Sequence, residues 1–211
     1  MKNYTFNIDE SYMNRFFKPV TNKIHIIELL MNSIKYMLLN PPVKPEHSKG
    51  KIILKVDKMS RLFFVKTDKY FSISFPFHIK YENVYSFNFR NEMNIDHKIT
   101  SDVISLIKDN SFTSSCSLDF SDKISTYQED SSNDNFWEFL RELLFMEDGY
   151  LRYDYDHNNY IKHNKSDIHP LNHYDFFYTS NATFKVGLRE KLTEEDFVDL
   201  LNIKTICKFI S

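Results

Sequence analysis

Apolar side chains change their spacing along this chain, and that change limits the fold more than any other feature. Ile24, Ile27, Met31, Ile34 and Leu38 recur every three or four positions, which places them on one face of a helix. Phe71, Ile73, Phe75 and Phe77, then Tyr85, Phe87 and Phe89, recur every second position, the period of a half-buried strand. A chain that carries both periods in separate blocks folds as α+β.

Punctuation sharpens the blocks. Asp9 can cap a short helix that stops by Pro19, and Thr21 can cap the helix that Pro41, Pro42 and Pro45 end. Turns at Lys58–Ser60 and Thr67–Lys69 divide residues 51–90 into an antiparallel meander of about four strands. A helix is expected over Thr100–Asp109, with Val103, Ile104 and Ile107 inward. Asn135 with Glu138 resembles a capping box before the stripe Phe136, Leu140, Leu143 and Leu144, and Gly149 suits the left-handed position after that helix. Strands follow at 150–156, 173–179 and 183–188, then a last helix opened by Thr193 with Phe197, Leu200 and Leu201 inward. The architecture read from this is an N-terminal helical pair, an antiparallel aromatic-rich sheet, and a C-terminal helix–antiparallel sheet–helix unit. Residues 1–211 form a single domain, with a subdivision available at the Ser-rich segment 111–135, read as a surface loop.

Composition excludes some chemistry. Three glycines, Gly50, Gly149 and Gly187, cannot build a Walker A loop or a dinucleotide fingerprint, which need closely spaced glycines for backbone to approach phosphate. No nucleotide or flavin motif is present. Two cysteines, Cys116 and Cys207, cannot make a Cys-rich zinc site and fit a reducing compartment better than a disulfide. The N-terminus lacks a signal peptide's apolar run and no stretch approaches a membrane span, so a cytoplasmic protein with no membrane partner is expected. A net charge of −2 gives no global field for nucleic acid, although a local patch can still bind it. Lys49, Lys51, Lys55, Lys58 and Arg61 precede Tyr70, Phe71, Phe75 and Phe77, a basic–aromatic pairing that can grip backbone and stack bases, but strict alternation points such aromatics into a core.

One region concentrates titratable side chains. In LRYDYDH (151–157), alternation puts Arg152, Asp154 and Asp156 on one face; in HYDFFY (173–178), His173, Asp175 and Phe177 share a face; in TFKVGL (183–188), Lys185 is set with Thr183. Adjacent strands would gather Arg152, Asp154, Asp156, His173, Asp175 and Lys185, the ingredients for acid–base chemistry, a divalent cation or a phosphate grip. His169 and His173 would lie about 13 Å apart on an extended strand, too far to share one ion unless the chain turns at Pro170–Asn172. A restriction-enzyme-type nuclease would place an acid two residues before Lys185, where Thr183 stands. The plain alternative is a hydrated sheet face whose histidines are satisfied by carboxylates. His25, His47, His78 and His97 are dispersed and read as structural or solvent-facing.

The strings RYDYD, HPLNH and the closing helix introduced by TEEDF make residues 150–200 similar to the bacterial domain-of-unknown-function 2290 proteins. That resemblance implies a defence or toxin–antitoxin setting. Two functions follow as expectations. The first is an interaction protein that works by binding a protein partner. The second is a phosphodiesterase or nuclease with Asp154, His169, His173 and Asp175 as the acid–base or ligand set and Arg152 and Lys185 on phosphate; only under this one is there room for a divalent cation, and nucleic acid is then a possible partner.

Overall fold

The computed structural model describes residues 2–58, 60–90, 93–113, 125, 135–164, 168–176, 178 and 185–207. The chain divides into two units, one of Met1–Met13, Val43–Ser74 and Gly149–Ser211, the other of Asn14–Pro42 and Phe75–Asp148. The α+β class is observed.

The first unit is built on strands β1 (Lys2–Ile8), β2 (Gly50–Val56), β3 (Arg61–Lys66), β4 (Lys69–Ser74), β8 (Leu151–Tyr155), β9 (Asn172–Asp175) and β10 (Lys185–Leu188). They form one antiparallel sheet in the order β1-β2-β3-β4-β8-β9-β10. Strand β1 precedes the N-terminal helical pair expected at the start of the chain: Tyr4, Phe6 and Ile8 alternate, and the helix begins only after Asp9, whose Oδ1 accepts from Ser11 N–H. The strands at 150–156, 173–179 and 183–188 add to the same sheet as the meander, joined by the β4–β8 pair.

Register decides the faces. One row across all seven strands reads Phe6, Ile52, Phe64, Phe71, Arg152, Asp175 and Lys185. The same sheet face is thus apolar over β1–β4 and charged over β8–β10. The opposite face carries Ile53, Phe63, Val65, Tyr70, Leu151 and Tyr153, covered by helix α6 (Glu194–Leu200) through the fully buried Phe197. Phe197 meets Phe63 edge-on at 6.2 Å and Tyr70 at 5.9 Å. The Leu192 N–H donates to Tyr153 Oη (3.1 Å), which donates to Asn172 Oδ1 (2.8 Å), tying the approach to α6 to β8 and β9. Thr193 caps α6, as expected, accepting from Asp196 N–H. Because β4 is buried on both faces along Tyr70–Ile73, the half-buried strand expected there is a fully covered one. Tyr70, Phe71, Phe75 and Phe77 are all buried, so none is a stacking platform for bases.

The second unit holds α2 (Lys23–Leu39), α3 (His97–Lys108), α4 (Phe136–Phe145) and a separate sheet of β5 (His78–Glu82), β6 (Val84–Phe89) and β7 (Met93–Asn94). Helix α1 (Glu10–Phe16) completes the expected N-terminal pair. The four-strand meander is therefore five strands in two sheets. The alternation through Phe75 and Phe77 continues after hydrogen bonding stops, because exposed Pro76 sits between two buried aromatics and cannot donate to a ladder. Asn22, one residue beyond Thr21, caps α2 by accepting from His25 N–H. Helix α2 is buried around most of its girth, not on one face, and the buried Glu28 lies between Lys18 (2.5 Å) and Lys108 (2.6 Å). Asn135 makes no capping hydrogen bond; Glu138 pairs instead with Arg90. In α3, Leu106 faces inward where Ile104 was expected. Most of segment 111–135, including Cys116, lies outside the described residues, and Cys207 is exposed with a free thiol. Among the described residues, no helix is long and apolar enough to cross a membrane.

Candidate functional site

Cross-strand register brings the titratable side chains together. Asp154 on β8 faces His173 on β9, Arg152 faces Asp175, and Lys185 on β10 faces Asp175 from the other side. Paired residues share a face with Cβ atoms about 5 Å apart, so long side chains from three strands meet there. Asp154, His173 and Asp175 are all buried, and each turns one donor atom to within 4.8 Å of the others.

Arg152 binds both acids: Nε donates to Asp154 Oδ2 (2.6 Å), Nη2 donates to Asp175 Oδ2, and Nη1 reaches Tyr150 Oη (3.3 Å). The Lys185 ammonium lies 3.0 and 3.2 Å from the Asp175 oxygens and 2.8 Å from His173 Nε2. His173 Nδ1 is 2.8 Å from the Pro170 carbonyl, which can only accept, so the Nδ1 proton points there and Nε2 offers its lone pair to Lys185. Burial alone would raise the Asp175 pKa, but the Arg152 guanidinium and the Lys185 ammonium hold that carboxyl well below the usual range. Burial opposes the charge of Arg152 as well, yet Tyr150 and the two acids push its pKa higher still.

The depressed Asp175 pKa fixes a pH dependence. A carboxyl held below its unfolded value of about 3.9 adds stability that is complete above that pH and is lost as pH falls toward the folded value. Urea midpoints measured from pH 6 downward are expected to drop below about pH 4 more steeply in wild type than in Asp175→Asn. Parallel curves would remove Asp175 from the acid response.

His169 and Asp156 stand beside this centre. The His169 and His173 rings lie 5.0 Å apart, edge to face, closer than an extended strand would place them. Yet His169 Nε2 is 3.0 Å from Asp156 Oδ2, not directed at the ligand atoms of Asp154, His173 and Asp175. Asp156 caps helix α5 (His157–Lys162), accepting from Asn159 N–H. Burial would raise the Asp156 pKa, but hydrogen bonds from Asn159 and His169 lower it to about 2. The His163 ring stacks on His169 at 5.5 Å. Phe177 and Thr183 lie outside the described residues.

Sequence reasoning passed over Lys69, Pro170 and Gly187. Lys69 lies opposite Asp154 on β4, its ammonium 3.4 Å from Asp154 Oδ1, and only the register reveals this. Gly187 lies opposite His173, and a Cβ there would come within 2.9 Å of Pro170 Cγ and 3.1 Å of its Cβ. The pyrrolidine ring cannot fold away, so Gly187→Ala is expected to cost about 1–3 kcal/mol in urea unfolding and to shift the carbonyl that orients His173. A cost under about 0.5 kcal/mol would show the ring yields freely.

No family model, curated protein or solved structure matches this chain.

Proposed function

We propose that this chain is a cytoplasmic phosphoester hydrolase, acting on phosphodiesters and working on the charged face of β8–β10. The observation that carries the reading is the convergence of Asp154, His173 and Asp175 from two strands, with Lys185 and Arg152 at the same point. Hydrolysis needs a water oriented and relieved of a proton, and a cation against the phosphoryl oxygens as charge develops. Two carboxylates and an imidazole lone pair serve the first need. Lys185, on a flexible stem with its side chain 20% exposed, serves the second. Arg152 is committed to two acids and a tyrosine, so its part is to hold them in place. His169, paired with Asp156, stands outside the reacting centre in this reading. In the defence or toxin–antitoxin setting that RYDYD and HPLNH imply, nucleic acid is the phosphodiester at hand.

The test is cleavage of labelled single- and double-stranded RNA and DNA, and of bis(p-nitrophenyl) phosphate, by the purified chain with and without divalent ions. Asp154→Asn and Lys185→Met are each expected to lower turnover at least about 100-fold. Absence of cleavage on every substrate would sink the reading.

A second reading, a protein that works by binding a protein partner, draws on the second unit. Tyr81 and Val84 on the β5–β6 hairpin are 56% and 72% exposed, the Tyr81 and Tyr85 rings lie 4.7 Å apart, and Phe145 is 83% exposed. Loss of a copurifying partner in Tyr81→Glu with Val84→Asp would favour it.

A further inference from the structure

Asp154, His173 and Asp175 have the separations of a metal site as well as its donor chemistry. His173 Nε2 lies 3.9 Å from Asp154 Oδ2 and 3.6 Å from Asp175 Oδ2. Donors about 2.1 Å from one ion in a tetrahedral site stand about 3.4 Å apart, so a small rotamer adjustment closes this set. His173 already has the outer contact that metal-bound imidazoles use, its Nδ1–H on the Pro170 carbonyl. Arg152 holds Oδ2 of both carboxylates, the oxygens nearest His173, and so fixes the two side chains beside the imidazole.

An independent sign lies at Asp154. Its side chain is 9% exposed, and its buried Oδ1 accepts no hydrogen bond; the Lys69 ammonium 3.4 Å away is out of line. Buried carboxylate oxygens are normally hydrogen-bonded, so this oxygen, with an ion-pair neighbour alone, keeps a lone pair for a ligand. The third sign is the Lys185 ammonium, a monovalent cation held against both His173 Nε2 and Asp175.

We infer that Asp154, His173 and Asp175 bind one divalent first-row ion, with Lys185 as the cation it displaces. Two carboxylates and one imidazole suit manganese, iron(II) or zinc better than calcium, which prefers an all-oxygen shell. Released from the acids, Lys185 can turn toward the phosphate. The inference deepens the phosphoester reading, and its test needs no substrate.

The full chain, stripped with EDTA, is titrated with Mn²⁺, following free Mn²⁺ by electron paramagnetic resonance, and with Co²⁺, following visible absorption. Wild type is expected to bind one ion. Asp154→Asn and His173→Gln should weaken binding at least 10-fold, and Lys185→Met should strengthen it several-fold by removing the competing ammonium. Circular dichroism identifies which variants fold, and Lys185→Met, which truncates a partly exposed side chain, keeps the test open where a ligand variant unfolds. No saturable binding by wild type or Lys185→Met, or binding unchanged in a folded Asp154→Asn, overturns the inference. Cleavage that persists in EDTA together with no saturable Mn²⁺ binding overturns the metal site and leaves hydrolysis standing. One ion bound with no cleavage upholds the metal site and counts against the phosphoester reading.

Discussion

Replacing Arg152 by alanine is expected to remove about 3–5 kcal/mol of unfolding free energy, among the largest single effects in this chain. The guanidinium bonds Asp154 and Asp175 at once, and both acids are buried. Without it, two like charges face each other in a poorly solvated site with Lys185 and Lys69 as the remaining cations. Truncating one partner of a buried charge pair leaves the other charge uncompensated, which costs more than the pair itself contributes. The measurement is equilibrium urea unfolding at pH 7, closed into a double-mutant cycle with Asp175→Asn. Because the amide removes the charge that Arg152 neutralises, the double variant should recover more than 1 kcal/mol relative to the sum of the singles. Additive losses would mean that Arg152 acts through packing of its stem, not its charge.

The second large effect lies on the opposite face. Phe197→Ala is expected to cost about 3–5 kcal/mol, because the ring is fully buried against Phe63 and Tyr70 and nothing on a strand can move in to fill its volume. It separates the scaffold from the site. At temperatures where the variant remains folded, Mn²⁺ affinity and turnover should stay near wild type, since Arg152, Asp154, His173 and Asp175 point away from α6. A parallel loss of both would show that the two faces act as one unit.

The site was legible in the sequence because it rests on the simplest rule of strands. LRYDY and NHYD alternate, and once β8, β9 and β10 are neighbours, cross-strand pairing has little freedom in where it puts Asp154, His173, Asp175 and Lys185. Lys69 was not legible, since its place opposite Asp154 depends on which distant strand pairs with β8. The association of His169 with Asp156 was hidden for another reason. It needs both the turn before β9 and helix α5, and HNNYIK has no apolar stripe to announce a helix; the Asp156 cap starts it. Strand β1 did carry a signal, Tyr4–Phe6–Ile8, overshadowed by the proline-bounded helices that follow it. Pro76 was likewise the mark separating two sheets within one run of alternating aromatics. Helix α2 shows the limit of periodicity: its Ile24–Leu38 stripe is present, yet residues on its other sides, Leu29, Leu30 and Met37 among them, are buried as well.

The seam between β4 and β8 bears on how the molecule forms. Strands β2 to β4 are joined by tight turns, and β8 to β10 follow one another along the chain, so each group can assemble from local contacts. Joining Lys69–Ser72 to Leu151–Asp154 instead requires closing the long segment between them, an entropic cost that must be met before the new contacts repay it. The charged trio of strands should therefore associate internally first and dock late, and the Lys69–Asp154 contact should be among the last made in folding. Mutations there would speed unfolding and leave the folding rate nearly untouched.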